Sequence, residues 1–225
     1  IKWTKAPGCN AESVAQWVGS ALAVWANEHN CSLVGKTIGI VGHGHVGKRV
    51  ERLAHKLGMR VLLNDPPLAI DNPNKYVDLH TIASECDVVT FHTPLTKEGE
   101  FATYHLADEE FFEIINKRLE LHTENISSHT EFTEHTESVL LRSPLIINAA
   151  RGGVIDEQAL LSCLSPLASS PHRLIASIDC WENEPNINQE LLKYVDLASF
   201  HIAGYSIQGK MNASEMCLRA FCEFF

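Results

Sequence analysis

Apolar residues at helical spacing open the chain. Val14, Trp17, Val18, Ala21, Leu22 and Trp25 share one face, which predicts a helix over 10–28 with Asn10 as its N-cap. Thr37, Ile38, Gly39, Ile40 and Val41 then read as a buried strand running into a glycine cluster. A second helix follows, with Val46, Val50, Leu53, Ala54 and Leu57 on its apolar face and Gly58 at its end. From there strand and helix patterns alternate. Further strands are predicted at 60–63, 88–91, 145–148, 174–178 and 197–200, with helices at 79–86, 107–115, 156–164 and 189–194. Near-continuous Val/Ile/Leu strands separated by helices imply a parallel sheet covered on both faces. The predicted fold class is therefore α/β, a doubly wound parallel sheet.

Two stretches depart from this rhythm. Residues 116–144 are poor in apolar residues and repeat His-Thr-Glu, where connections in α/β units usually take about two to six residues, so they read as a polar surface insertion. The spacing of His122, His129 and His135 matches no metal-ligand pattern, and flexible polar filler is the favoured reading; no metal is expected. Residues 208–225 predict a terminal helix whose apolar face (Met211, Met216, Leu218, Phe221, Phe224, Phe225) lacks a partner and favours self-association.

Composition narrows the function. A net charge of −10 argues against a protein that coats nucleic acid or an anionic membrane, and no apolar run approaches the length of about 18 residues that spans a bilayer. The seven cysteines are odd in number and contain no Cys-x-x-Cys pair, which fits reduced thiols in a cytoplasmic protein. The first residues carry no basic-plus-apolar leader, so export is not expected.

The sharpest local signal is Gly42-His43-Gly44-His45-Val46-Gly47, set between a predicted strand and a predicted helix, with Asp65 closing the next strand. In that context the glycines permit a tight turn and close approach to a pyrophosphate, and the helix N-terminus supplies N–H donors. Asp65 suits the adenosine ribose hydroxyls and repels a 2′-phosphate, favouring NAD over NADP. His43 and His45 are read as spacers near the phosphates. Beyond the strand ends, where ligands of such sheets bind, the sequence places His92-Thr93-Pro94-Leu95, Asn148-Ala149-Ala150-Arg151-Gly152-Gly153, Asp179 to Pro185 and His201 to Tyr205. Taken singly, Arg151, Glu184 and His201 have ordinary structural explanations. Their convergence on one rim beside a cofactor fingerprint favours a catalytic set.

In their order and wording these motifs resemble the D-isomer-specific 2-hydroxyacid dehydrogenases, over nearly the whole chain apart from the insertion. Within that family, 6–11 and 201–205 are most similar to members acting on 4-phosphoerythronate in pyridoxal phosphate synthesis. The resemblance implies a Rossmann-type NAD-binding domain over 1–206, with 10–28 as the linking helix, and a helix at 207–225 returning toward a substrate domain that is largely missing. It implies that Arg151 holds the substrate carboxylate and carbonyl oxygen, and that His201 takes the hydroxyl proton as hydride leaves for NAD. Glu184 would orient that imidazole and favour its charged form. Cofactor contacts implied are Gly42, Gly44, His45, Val46, Gly47, Asp65, Thr93, Ala149, Asp179 and Gly204, with Tyr205 reaching the substrate phosphate. A phosphorylated sugar acid is the expected small-molecule substrate, and a homodimer is expected of the full-length protein. Two alternatives stay open: an NAD-binding fragment or decayed paralogue without turnover, and a sibling dehydrogenase acting on phosphoglycerate or glycerate.

Overall fold

The computed structural model describes residues 3–128, 143–165 and 173–224. Six strands, β1 (Thr37–Val41), β2 (Arg60–Asn64), β3 (Val88–Phe91), β4 (Leu145–Asn148), β5 (Ile175–Ile178) and β6 (Leu197–Ala198), form one sheet in the order β2-β1-β3-β4-β5-β6. Every pairing is parallel. The register aligns Val41 with both Asn64 and Phe91, Phe91 with Asn148, and Asn148 with Ile178. The carboxyl ends of five strands are thus level and make one rim. Strand order reverses between β1 and β3, and a crevice opens there because the chains leaving the two strands diverge.

The helices are α1 (Ala11–Glu28), α2 (Gly47–Lys56), α3 (Pro66–Ala69), α4 (Leu79–Glu85), α5 (Glu109–Ser128), α6 (Glu157–Leu164), α7 (Gln189–Leu192) and α8 (Ile207–Phe224). Alternation along each strand divides the core into two layers. Ile38, Ile40, Val88, Leu145, Ile147 and Ile175 pack with α1 and α2 through Val18, Leu22, Trp25, Val50 and Ala54. Val41, Val89, Phe91, Ile146, Ala176 and Ile178 pack with α4, α5 and α6 through Ile82, Phe112, Ile115 and Leu160. Strands buried on both faces explain the continuous apolar runs.

Several expectations need correction. Asn10 precedes α1 but makes no side-chain capping hydrogen bond; a Cβ on Gly204 would stand 2.3 Å from its Nδ2, so the side chain packs on the Gly204 loop. The predicted strand at 197–200 is only Leu197–Ala198, paired with β5 alone. The helix predicted to end at 115 does not stop there. Helix α5 continues through Ser128, because Leu119 extends the buried line of Phe111, Phe112 and Ile115 by one more turn. The remainder of the insertion at 129–142, including His129 and His135, lies outside the described residues, as does the side chain of His122.

Helix α8 is tied to the start of α1. Ser13 and Ser206 share a hydroxyl–hydroxyl hydrogen bond of 2.5 Å, Asn212 Nδ2 donates to Cys9 O at 3.0 Å, and a Cβ on Gly209 would lie 3.1 Å from Asn10 Cβ. Ile207, Met211 and Leu218 on this helix are exposed. Cys86, Cys163 and Cys180 are buried, and burial pushes each thiol up to about 12, so they behave as small apolar side chains.

The corrected α5 boundary predicts that Leu119→Ala destabilises the chain by about 2–5 kcal/mol. Leu121→Ala, at an exposed position of the same helix, should change stability by less than about 0.5 kcal/mol. Urea unfolding of the two variants measures both.

Candidate active site and cofactor cleft

At the β1/β3 reversal lies a cleft of about 490 Å³ lined by Gly42, Gly44, Asp65, His92 and Thr93, with Pro66, Phe101 and Leu106 as apolar walls. The three motif glycines have three different reasons. Gly42 has φ +92°, and a Cβ there would meet the His92 carbonyl carbon at 2.8 Å, so only glycine lets the β1 and β3 loops touch. Gly47 backs onto the strand, a Cβ lying 2.1 Å from Gly42 O. Gly44 faces open space, with nothing within 4 Å of a Cβ position.

Asp65 Oδ2 accepts the His43 N–H at 2.7 Å and Oδ1 accepts Leu68 N–H at 3.2 Å, capping α3. One carboxylate thereby ties the glycine loop to the end of β2, and an ionised carboxylate keeps further lone pairs for ribose hydroxyls. His92 and Thr93 line the cleft and carry polar atoms that are unusual for a protein interior. Among the described residues, His92 Nδ1 and Thr93 Oγ1 are buried without a hydrogen-bond partner. Burial holds the His92 imidazole down to about 3, so it is neutral, while its Nε2 pairs with Thr90 Oγ1 at 2.9 Å. An open glycine face, an aspartate with spare acceptors and two unpaired polar atoms fit an adenosine–pyrophosphate ligand.

Further along the rim, Asn148 shapes the loop after β4. Its Nδ2 donates to Arg151 O (3.1 Å) and Cys180 O (3.0 Å), and its Oδ1 accepts Ala150 N–H (3.2 Å). Ala149 is buried beside it, whereas Arg151 is exposed, with Nη1 donating to Ala150 O at 2.6 Å. Gly152 presses on the next loop, a Cβ falling 1.9 Å from Trp181 O. In that next loop Glu184 Oε1 accepts Trp181 N–H at 2.8 Å, while Oε2 holds His201 Nδ1 at 2.8 Å. His201 has φ +55°, and its side chain is 45% exposed. The imidazole is thus gripped at Nδ1 and reaches solvent.

The chain matches the family model "D-isomer specific 2-hydroxyacid dehydrogenase, NAD binding domain" over residues 12–203. The chain belongs to the D-isomer-specific 2-hydroxyacid dehydrogenases. It is 43% identical over 226 residues to erythronate-4-phosphate dehydrogenase of Bacteroides thetaiotaomicron, a match covering 100% of this chain and 57% of the relative. The relative of the same name from Porphyromonas gingivalis is 40% identical, with 100% and 54% covered. The chain therefore spans little more than half the length of these relatives. The NAD⁺-bound 3-phosphoglycerate dehydrogenase of Entamoeba histolytica superposes with a TM-score of 0.68 at 24% identity, covering 98% of this chain and 63% of that one, which shows the shared fold. NAD is accordingly the cofactor of this 2-hydroxyacid dehydrogenase domain.

Some motif residues stand apart from the cleft. His43, read from the sequence as a spacer, has its side chain tied into the protein. It is buried, with Nδ1 paired to Tyr76 Oη (3.1 Å) and Nε2 to Glu51 Oε2 (2.8 Å). His45 leans on the turn before α1, where a Cβ on Gly8 would strike its ring at 2.6 Å, and Val46 packs toward the core as the residue preceding α2. Gly204 has its side-chain position filled by Asn10. Tyr205 is exposed, with Lys210 Nζ 3.7 Å from its ring centroid. The hydrogen bond and charge of Lys210 lower the Tyr205 phenol from its ordinary value. Asp179 is 1% exposed and has structural work: Oδ1 accepts Ile202 N–H (2.8 Å) and the Ser199 hydroxyl, and Oδ2 accepts Ala203 N–H (2.9 Å).

Two groups that the motif reading leaves out are Glu157 and His105. Glu157 is a buried carboxyl accepting Glu182 N–H at 2.6 Å, and burial, aided by the charges of Glu182, Glu184 and Asp156, raises it to about 7. His105 bridges Glu182 Oε1 (2.8 Å) and Asp156 Oδ2 (3.3 Å). Among the described residues no group of three or more His, Cys, Asp or Glu is placed to hold a metal, and no helix is long and apolar enough to cross a membrane.

Two outcomes follow from these placements. Gly44→Val should leave folding stability within about 0.5 kcal/mol yet weaken NAD binding by ~10-fold or more, about 1.4 kcal/mol; thermal melts and calorimetric titration read the two effects. For Glu157, the folded state retains a proton that the unfolded chain has lost between its ordinary 4.5 and about 7. Stability should therefore fall as pH rises through that window, and Glu157→Gln should flatten this part of the profile in urea unfolding.

Proposed function

We propose that this domain serves the NAD-dependent oxidation of 4-phospho-D-erythronate at C2, giving 3-hydroxy-2-oxo-4-phosphobutanoate, a step toward pyridoxal phosphate. The observation that carries the reading is the Glu184–His201 pair, 2.8 Å apart, on the same rim as Arg151 and the NAD cleft. The two named relatives, 43% and 40% identical across this chain, support the choice of substrate.

Bound NAD would supply the hydride acceptor. The chain's own residues supply the rest. With Nδ1 held by Glu184, the proton-accepting lone pair of a neutral His201 is directed to Nε2, where it takes the C2 hydroxyl proton as the C2 hydride departs. The carboxylate of Glu184 then balances the imidazolium that forms. Arg151, exposed at the rim, offers a planar fork suited to a carboxylate and the developing carbonyl oxygen. Tyr205 and Lys210 present a hydroxyl and an ammonium four and nine positions beyond His201, and in this reading they receive the phosphate end of the substrate. The division into a domain at 1–206 and a helix at 207–225 directed to a substrate domain is part of the same proposal, as is a homodimer of the full-length protein, which light scattering of that protein tests.

NADH formation, followed by absorbance, distinguishes the alternatives. The expected result is turnover with 4-phospho-D-erythronate exceeding that with 3-phosphoglycerate or glycerate. His201→Asn should lose ~10²–10⁴-fold in kcat while retaining NAD affinity. Preference for phosphoglycerate would transfer the chain to a sibling activity. NAD binding with no turnover on any of the three acids would favour a cofactor-binding module.

A further inference from the structure

We infer that Glu157 is a positioning residue for the active-site pair: by accepting the Glu182 N–H it anchors the loop that presents Glu184 to His201. The inference rests on the proposed role of Glu184 and His201 and extends it to a side chain on a different element.

The geometry runs through one continuous set of contacts. Asp156 caps α6, its Oδ1 accepting Gln158 and Ala159 N–H, and this fixes where Glu157 leaves the helix. Glu157 then turns from the first position of α6 to the loop after β5 and takes the Glu182 N–H at 2.6 Å. One residue earlier in that loop, Trp181 donates its N–H to Glu184 Oε1, and Glu184 Oε2 holds His201. Glu182 is held a second time through its own carboxylate, by His105 Nε2 at 2.8 Å, and His105 is braced in turn by Asp156 Oδ2 and by stacking on Tyr104 at 4.0 Å. The loop is pinned at Glu182 through both its main chain and its side chain, so Glu184 has a fixed base from which to reach the imidazole.

Glu157 is 6% exposed and does not line the cofactor cleft. A buried carboxyl among acidic neighbours is an unfavourable way to fill space, since burial raises it toward neutrality. Its one direct hydrogen bond to the 181–184 loop gives it a purpose that an apolar side chain would not serve.

The test needs neither substrate nor cofactor. The ¹⁵N shifts of a neutral imidazole, recorded well above the ordinary imidazole value of about 6.5, report which nitrogen carries the proton. In the full chain, Glu184 should hold His201 in the Nδ1–H form, and Glu184→Gln defines the signature of a ring released from the carboxylate. Glu157→Ala should move the His201 shifts toward that signature. Glu157→Gln, which keeps an acceptor oxygen without the charge, should restore the wild-type pattern. Added to Glu184→Gln, Glu157→Ala should have no further effect. Where alanine leaves an unfolded chain, Glu157→Met fills a similar volume with no oxygen acceptor and gives the same comparison.

Unchanged His201 shifts in a folded Glu157→Ala or Glu157→Met variant overturn the inference. Equal displacement in Glu157→Gln and Glu157→Ala also overturns it, since the effect would then belong to charge. In a turnover assay Glu157→Ala should lower kcat by ~10–100-fold with NAD affinity within about twofold. Absence of turnover in the wild-type chain would instead count against the dehydrogenase reading, leaving the ring-shift result to judge the positioning role alone.

Discussion

The candidate active site depends on one buried carboxylate. Asp179 ends β5 with almost no exposure, and both of its oxygens accept hydrogen bonds from the loop that follows β6. Its main-chain carbonyl accepts the His201 N–H at 2.7 Å as well. Those contacts hold His201 at φ +55°, a left-handed conformation that a non-glycine residue adopts only when its surroundings impose it. A buried carboxyl is costly unless it is hydrogen-bonded, and here three donors from 199–203 engage it. The result is a loop that cannot slide relative to β5. Because Glu184 lies on the loop leaving that same strand, the imidazole and its carboxylate partner are fixed from a common base.

A second constraint operates at the other end of the rim. The β1 and β3 loops touch where Gly42 meets the His92 backbone, and α2 packs on Gly42 through Gly47, so the glycine loop has little freedom on its inner side. Asp65 and the buried His43–Tyr76–Glu51 network hold it from the β2 side. Rigid support surrounds the one position, Gly44, that faces open space.

Much of this architecture is readable in the sequence because its signals are local. Continuous runs such as 37–41 and 145–148 mark strands buried on both faces, and the glycine motif between strand and helix marks the crevice. Arg151, Glu184 and His201 are readable as a set because parallel strands bring their carboxyl ends to one rim. Other features depend on distant partners. The His43 network with Tyr76 and Glu51, and the hydrogen bonds of Asp179 to the 199–203 loop, are of this kind. Helix α5 passes its expected end because Leu119 finds the core, a single apolar residue in an otherwise charged turn. Strand β6 falls short of its apolar run because only one neighbour pairs with it. The Glu157–Glu182 contact joins the start of α6 to the loop after β5, two segments that carry no motif linking them.

These observations converge on a chain whose cofactor cleft is set by β1, β2 and β3 and whose proposed reacting side chains come from the loops after β4, β5 and β6. The most direct measurement of that arrangement is backbone hydrogen exchange with and without NAD. The account predicts that added NAD slows exchange at 42–48 and 92–96, on the two sides of the strand-order reversal, while the distant helix at 109–121 is unchanged. Uniform exchange at the glycine loop in the presence of saturating NAD, or protection confined to some other surface, would contradict it.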